Sequence, residues 1–322
     1  MKKLVMSGVL IAAFIGLFAV VRNFKQSSKK NVTYTIGILQ TASHPALDAA
    51  REGFIEELKS KLGDEIEFVI QNAQGSVSQA HTIAQQFHAN LTMQGVFAIA
   101  TPAAQAMSSV EKAKPIFIAA VTDPQALGLI SPLTNVCGSK DMIDVQGEVD
   151  LVKQFAPGAK LVGLLYTSGE TNSQVLVREM KRLLGAQGIE TTDFAVSTEA
   201  DMQAAMESAC RKVDVILAPT DNAVASTIAL TSSLACKYKK PFLVSDNMLV
   251  AAGPLAARGV DYKECGKEAG KVAYKVLVEG KKPSDLPIEQ IESKEVFVNR
   301  RTLQTLVATL PEVLQAEVIF VN

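Results

Sequence analysis

Short apolar runs alternate with longer stretches in which apolar residues recur every three or four positions, and from residue 34 onward the alternation keeps a nearly constant step. Runs of the first kind predict strands and stretches of the second kind predict helices. Tyr34 to Leu39 predicts a strand, Ala46 to Leu62 a helix with Phe54, Leu58 and Leu62 four apart, Ile66 to Ile70 a strand, and Val77 to Ala89 a helix. A strand at Val96 to Ala100, a helix from Ala103 to Ala113 and a strand at Ile116 to Ala120 follow.

The alternation pauses between Gln125 and Asp141, where Gly128, Pro132 and Gly138 fall, and then resumes. Helices are predicted at Asp144 to Phe155, Asn172 to Gln187, Glu199 to Lys212 and Asn222 to Tyr238, with strands at Lys160 to Tyr166, Ile189 to Val196, Val213 to Leu217 and Phe242 to Ser245. The tail from Tyr262 is too short for a third unit of this kind. It predicts a helix at Lys263 to Glu279, a strand at Lys294 to Val298 and a terminal helical stretch, crossing back to pack on both halves. The fold class is α/β: two doubly wound parallel-sheet lobes with helices on both faces of each sheet. Lobe one is expected at 31–150, completed by about 262–285, and lobe two at 151–261, completed by about 286–322. The length of 322 residues agrees, since single cores stop growing near ~250–300 residues.

The first residues break the pattern. Lys2 and Lys3 precede Leu4 to Val21, eighteen residues without a charge, and Arg22 to Lys30 is polar and basic. That arrangement predicts an export signal or a single membrane anchor, with the uncleaved anchor favoured because ~20 apolar residues span a bilayer and no clear cleavage pattern is present. The remainder is then expected to work in the periplasm or otherwise outside the cytoplasm.

Composition narrows the function classes. A formal net charge of -1 with 20% charged residues leaves no electrostatic footprint for nucleic acid. Cys137, Cys210, Cys236 and Cys265 are widely spaced, so neither a metal site nor a dithiol motif is indicated, and buried small hydrophobes are the default reading. His44, on a loop, and His81 and His88, on one predicted helix, lack a metal-binding arrangement, and the two helix-face histidines are expected to be solvated. No nucleophile elbow, phosphate loop or dinucleotide fingerprint occurs, so no catalytic residue, cofactor or metal is expected.

The strand ends carry the informative residues, because open α/β sheets bind ligands outside the carboxyl ends of their strands. These ends read Gln40-Thr41-Ala42-Ser43, Asn72, Thr101 and Thr122-Asp123 in the first half, and Tyr166 to Glu170, Thr220-Asp221-Asn222 and Ser245-Asp246-Asn247 in the second. One such residue per connection is an ordinary helix N-cap. Clusters recurring in both halves point further, to two facing polar edges that enclose a cleft. Exposed amides at the helix starts suit a carboxylate, and an unpaired Asp suits an ammonium group.

The strings "HPALDAAREGF" (44–54), "NAQGSVSQAHTIAQQF" (72–87), "AIATPAAQAM" (98–107), "AAVTDPQALGLI" (119–130), "APTDNAVAS" (218–226) and "AARGVDYKECGKEAGKVA" (256–273) resemble the ABC-transporter substrate-binding proteins of the tryptophan/tyrosine type. The resemblance covers roughly residues 34 to 318. It implies a type I periplasmic-binding fold with three crossovers, a non-enzymatic, monomeric binder of a small ligand such as an amino acid, and a permease with its ATPase as partners. Carried over residue by residue, it implies ligand contacts from Gln40, Thr41, Ser43, Asn72, Thr101, Thr122 and Asp123 in lobe one. Tyr166, Glu170, Asn172, Asp221, Asn222 and Asp246 are the candidates in lobe two, with Asp221 for the α-ammonium and Thr101 or Thr122 for the carboxylate. Two other readings stay open: a membrane-anchored sensor built on the same domain, and a hydrolase using Asp123 and Asp221.

Overall fold

In the computed structural model, which describes residues 32–322 apart from 292–294, 307–308 and 315–317, the chain forms two sheets facing each other. The anchor expected at residues 4–21 lies outside the described residues, among which no helix is long and apolar enough to cross a membrane. The first run of strands is β1 (Tyr34–Gln40), β2 (Ile66–Asn72), β3 (Gly95–Ile99), β4 (Ile116–Ala119) and β5 (Val136–Lys140). The second is β6 (Leu161–Thr167), β7 (Glu190–Val196), β8 (Val215–Ala218), β9 (Phe242–Val244) and β10 (Ala256–Arg258), and the tail adds β11 (Ile288–Gln290), β12 (Val296–Asn299) and β13 (Val318–Val321).

Lobe one has the order β11-β5-β4-β3-β1-β2, parallel throughout. Lobe two has the order β13-β12-β10-β9-β8-β6-β7, parallel except where β12 runs against β10. Helices α1 (Pro45–Leu62), α2 (Val77–Ala89), α3 (Thr101–Val110), α4 (Val145–Phe155), α5 (Thr171–Ala186) and α6 (Met202–Lys212) follow strands of the two runs. They are joined by α7 (Asn222–Ser226), α8 (Ile228–Lys237), α9 (Tyr262–Leu277) and α10 (Arg300–Thr305). The central strands are buried along their length, as sheets covered on both faces require. Phe54 of α1 stacks on Phe97 of β3 at 3.9 Å between centroids, with Phe117 beside it, and anchors the lobe-one core.

Several elements depart from the sequence reading, which predicts neither β10 nor β11 as a strand. The pause between Gln125 and Asp141 contains β5, hidden because its central Gly138 looks like a turn residue. Any side chain there would run into the backbone of Ile118 on β4, so this glycine is a close-packing device within a strand. The helix expected over 222–238 breaks at Thr227, whose hydroxyl bonds back to the carbonyls of Ala223 and Val224. The terminal helical stretch is a short α10 and a 3-10 turn followed by β13, paired to β12. Finally, α4 packs against α5 and β10 in lobe two and β11 completes lobe one. The chain thus passes between the sheets through 141–144, after β5, and through 259–261, after β10, and a third time between β11 and β12.

The second crossover delivers α9 onto α1. Gly266 lies so close to the Ala50 carbonyl, and Gly53 so close to that of Lys263, that a methyl group at either position would overlap backbone. This tight pairing fixes where the chain leaves the hinge, and with it the start of α9 beside the cleft.

Candidate functional site

The carboxyl ends of the two sheets point at one another. In each sheet the strand order reverses after the first pair, at β1/β3 and at β6/β8, which is the switch point where neighbouring connections diverge and leave a crevice. A narrow cavity of about 30 Å³ lies there, far below the ~300–1,000 Å³ that ligand pockets typically span. Lobe one contributes His44 and Leu47 after β1, Ala100 after β3, Ala120 and Thr122 after β4, and Asp141 after β5. Lobe two contributes Asn172, the Thr220-Asp221-Asn222 cluster with Ala225, and Asp246 with Leu249, while Tyr262 enters from the second crossover. An outer cleft, bounded by Gln74 to Val77 on one side and by Gly169, Glu170 and Ser197 to Ala200 on the other, adjoins it at Asn222. Two bonds span the lobes directly: His44 Nε2 to Asn222 Oδ1 at 3.3 Å, and Gln105 Nε2 to Thr171 Oγ1 at 3.4 Å.

Of the thirteen residues picked from sequence, Thr122, Asn172, Asp221, Asn222 and Asp246 line this cavity, and Thr41 and Glu170 reach the outer cleft. The others are spent on structure. Gln40 is buried, donating to Ala42 O and Asp48 and accepting from Arg51 at 2.6 Å, and Ser43 bonds Asp48. Asn72 accepts the Gln74 amide, and Asp123 the Ala126 amide, each closing its own turn. Tyr166 points to the outer edge, where its hydroxyl donates to Asp193 on β7, because alternate residues of β6 face opposite ways. Thr101 is buried with its hydroxyl unpartnered, next to Ala100 on the cavity wall.

Asp221, the candidate for an ammonium group, is already committed. Its carboxylate accepts from the Thr167 amide and hydroxyl, the Ser173 hydroxyl and the Ala223 and Val224 amides. It caps α7 and ties β6 to β8, so its oxygens are engaged within lobe two although the residue lines the cavity. Behind it, Glu170 holds the side-chain amides of Asn172 and Asn222 and the Asn222 backbone amide. Burial, and then the Asp221 charge, push the Glu170 carboxyl up to about 7.

Two other carboxylates have capacity left. Asp246 accepts one bond through Oδ1, from the Met248 amide at 2.9 Å, and burial raises it to about 7 with Asp141 adding a like-charge contribution. Asp141 accepts the Tyr262 hydroxyl at Oδ2, while Oδ1 is buried without a partner, and burial raises this carboxyl to about 6. His44 is buried and its pKa is lowered by desolvation, so Nε2–H donates to Asn222 and Nδ1 remains a bare acceptor. The Thr220 hydroxyl and Asn172 Oδ1 are likewise buried without partners. Buried polar atoms are nearly always bonded, so several orphans on one cavity mark a wall built for a polar ligand. Among the described residues no three His, Cys, Asp or Glu side chains converge as metal ligands would.

Asp141, His44 and Tyr262 are the residues that sequence reasoning left out, while Thr220 stood in a named strand-end cluster without being counted as a ligand contact. His44 sits four residues past β1, within reach of the strand-end rule, yet is set aside with the other histidines once a metal site is discounted; it is 8% exposed. Asp141 escaped because β5 itself went unseen. Tyr262 follows the Asp261 that caps α9, and only the crossover path brings it to the cavity.

Residues 35–319 match the family of ABC transporter substrate binding proteins. The chain belongs to that family. Substrate-binding proteins of this family are non-enzymatic and extracytoplasmic. A tyrosine-binding protein of Clostridioides difficile is 36% identical over 291 residues, covering 88% of this chain and 83% of that relative. A domain from Streptococcus pneumonia in complex with L-Trp superposes with a TM-score of 0.86 at 33% identity, covering 90% of this chain and 100% of that one. A ligand-free, open substrate-binding protein with adhesive properties from Clostridium difficile gives 0.66 at 35% identity, with 90% and 99% covered. Together they establish the type I periplasmic-binding fold for this substrate-binding protein.

Proposed function

We propose that this substrate-binding protein captures an amino acid, aromatic in preference, between its lobes and presents it closed to a membrane permease. One observation carries the reading: carboxylates with spare acceptor capacity and several unpartnered polar atoms converge on a single cavity walled by both lobes. Asp141 and Asp246 receive the α-ammonium, with His44 Nδ1 beside them. The α-carboxylate takes the Thr220 hydroxyl and the amides where Thr101 and Thr122 begin their turns. Leu47 and Leu249 face the cavity from opposite lobes and hold the side chain between apolar jaws. The relatives support an aromatic ligand, one being named for tyrosine and another carrying L-Trp.

Hinge closure about the three crossovers accounts for the difference in superposition. At nearly equal identity and coverage, the chain matches the L-Trp complex at 0.86 and the open, ligand-free structure at 0.66. Leu4 to Val21, uncharged over eighteen residues, keeps the protein at the membrane beside its permease.

The test is thermal unfolding of the full-length protein with each common amino acid at millimolar concentration. A ligand at about 100 times its Kd stabilises the native state by roughly 2.7 kcal/mol, a readily measured shift. The expected outcome is a shift with tryptophan, tyrosine or phenylalanine and none with the acidic or basic amino acids. The chain contains no tryptophan, so the fluorescence of bound L-Trp reports binding without protein background. Absence of a shift with every amino acid overturns the reading.

A further inference from the structure

We infer that Asp141 and Asp246 form an electrostatic gate on closure: ionised, the pair holds the empty protein open, and a cationic amine on the ligand is what allows the lobes to meet. This rests on the amino-acid reading above and adds to it a cause for closing.

The two acids belong to different lobes. Asp141 follows β5 directly, its amide bonds Val121 O on the end of β4, and Tyr262 holds its Oδ2. Asp246 follows β9, with the Ser245 amide bonded to Ala218 O on β8 and Oδ1 on the Met248 amide. Each position is rigid within its own sheet, so the distance between the carboxylates changes only when the lobes move. In the closed arrangement both face one cavity, 2% and 5% exposed, and no lysine or arginine lines it.

The groups around the pair offer no compensating charge. Tyr262 and Cys265, both on α9, are neutral, their pKa values held well up by burial. His44 from the β1–α1 loop is kept neutral by desolvation. Asp221 and Glu170 on the lobe-two side are themselves acids, and Asp221 is offset by its five hydrogen-bond donors. Bringing two anions out of water into one small cavity opposes closing through both desolvation and repulsion. A ligand moves such an equilibrium only by binding the closed state better, and an ammonium placed between the carboxylates does so directly.

Two consequences separate a gate from an ordinary ligand contact. A ligand of the right shape without its amine fails to close the protein. Protonation substitutes for the ligand, so the empty protein closes at acid pH while the affinity for amino acid falls.

The experiment measures the inter-lobe distance by pulsed electron resonance in the full-length chain, spin-labelled at Gln85→Cys on α2 and Gln203→Cys on α6, with Cys236→Ser to remove the half-buried native thiol. The ligands are L-tryptophan, L-tyrosine and 3-(4-hydroxyphenyl)propanoate, at pH 8 and pH 5. The unsubstituted pair should give a long distance at pH 8 without ligand, shortened by an aromatic amino acid but not by the propanoate, and shortened at pH 5 with no ligand. Asp141→Asn and Asp246→Asn keep the acceptor oxygens for Tyr262 and Met248. They should show the short distance at pH 8 unaided and bind the amino acid about tenfold more weakly or worse. A ligand-free distance unchanged by pH and by both substitutions overturns the gate, even where an amino acid still closes the protein and the ligand reading stands. Closure of the variants alone, with no amino acid closing the unsubstituted protein, keeps the gate and removes the amino acid as ligand.

Discussion

Asp221 and Asp246 occupy equivalent places, each a few residues past the end of a lobe-two strand, yet their surroundings give them opposite work. Asp221 is surrounded by five donors, two of them the first amides of α7. Asp221→Ala leaves those donors buried and unpaired, at a cost of about 2–4 kcal/mol. The expected result is a lowered melting temperature of the empty protein. Asp246→Asn removes a buried charge and keeps the acceptor for Met248, so the empty protein at pH 8 melts at a higher temperature while its amino-acid-induced shift is lost. The reverse pattern, with Asp221→Ala stable and binding abolished, would return the ammonium site to Asp221. Ala100 supplies a second contrast. It holds φ 75° and ψ 162° at the cavity wall, a region proper to glycine, and such strain costs on the order of 1–3 kcal/mol. Ala100→Gly should therefore raise the melting temperature, and an unchanged or lower value in differential scanning calorimetry would show that the surrounding wall carries no such strain.

At the scale of elements, the hinge depends on how closely α9 approaches α1. Gly266→Ala places a methyl group against the Ala50 carbonyl and must push the helices apart, an overpacking cost of typically 1–3 kcal/mol. The movement shifts the start of α9, so Tyr262 and its bond to Asp141 move too. The expected outcome is a lower melting temperature together with weaker ligand binding, and intact affinity would show that Tyr262 is positioned independently of this contact. The same region shows what the sequence could reveal. Period-2 and period-3.6 patterns disclosed most strands and helices, because burial on two faces dictates them locally. β5 stayed hidden, since Gly138 answers to Ile118 on the neighbouring strand, and with β5 went Asp141. The strand-end rule found Thr122, Asp221, Asn222 and Asp246 on the cavity, and the family resemblance added Asn172, but neither could separate these from Gln40, Asn72 and Asp123, whose side chains close local turns. That division depends on which way each strand end faces, a property of the assembled sheets. Tyr166 fails for the same reason, one residue of register sending it to the outer edge.

For the whole molecule, the buried acids fix how stability responds to pH. Asp141 rises to about 6, and Asp246 and Glu170 to about 7, in each case first through burial. In the unfolded chain these groups titrate near ~4. Between those values the folded protein binds more protons than the unfolded one, so stability from these groups is fully present below about pH 4 and is lost as pH rises toward 7. Glu111 and Asp214 work in the opposite sense. Burial pushes Glu111 up, but the amides of Lys114 and Ala113 and the His88 side chain outweigh it and hold the carboxyl below its usual range, and the Lys160 and Leu161 amides lower Asp214. Their contribution is present above about pH 4 and disappears in acid. The empty protein should accordingly be most stable near pH 5 and melt at a lower temperature at pH 8, by an amount worth a few kcal/mol. Ligand reverses the slope: an ammonium demands ionised Asp141 and Asp246, so the melting shift produced by a saturating aromatic amino acid grows from pH 5 to pH 8. Calorimetric scans across that range, with and without amino acid, measure both slopes at once. Falling stability without ligand and a widening gap with it are the expected pair. A ligand shift that is constant in pH would mean that neither carboxylate changes charge on binding, leaving the amine to be recognised by neutral groups such as His44 Nδ1 and Asn172 Oδ1.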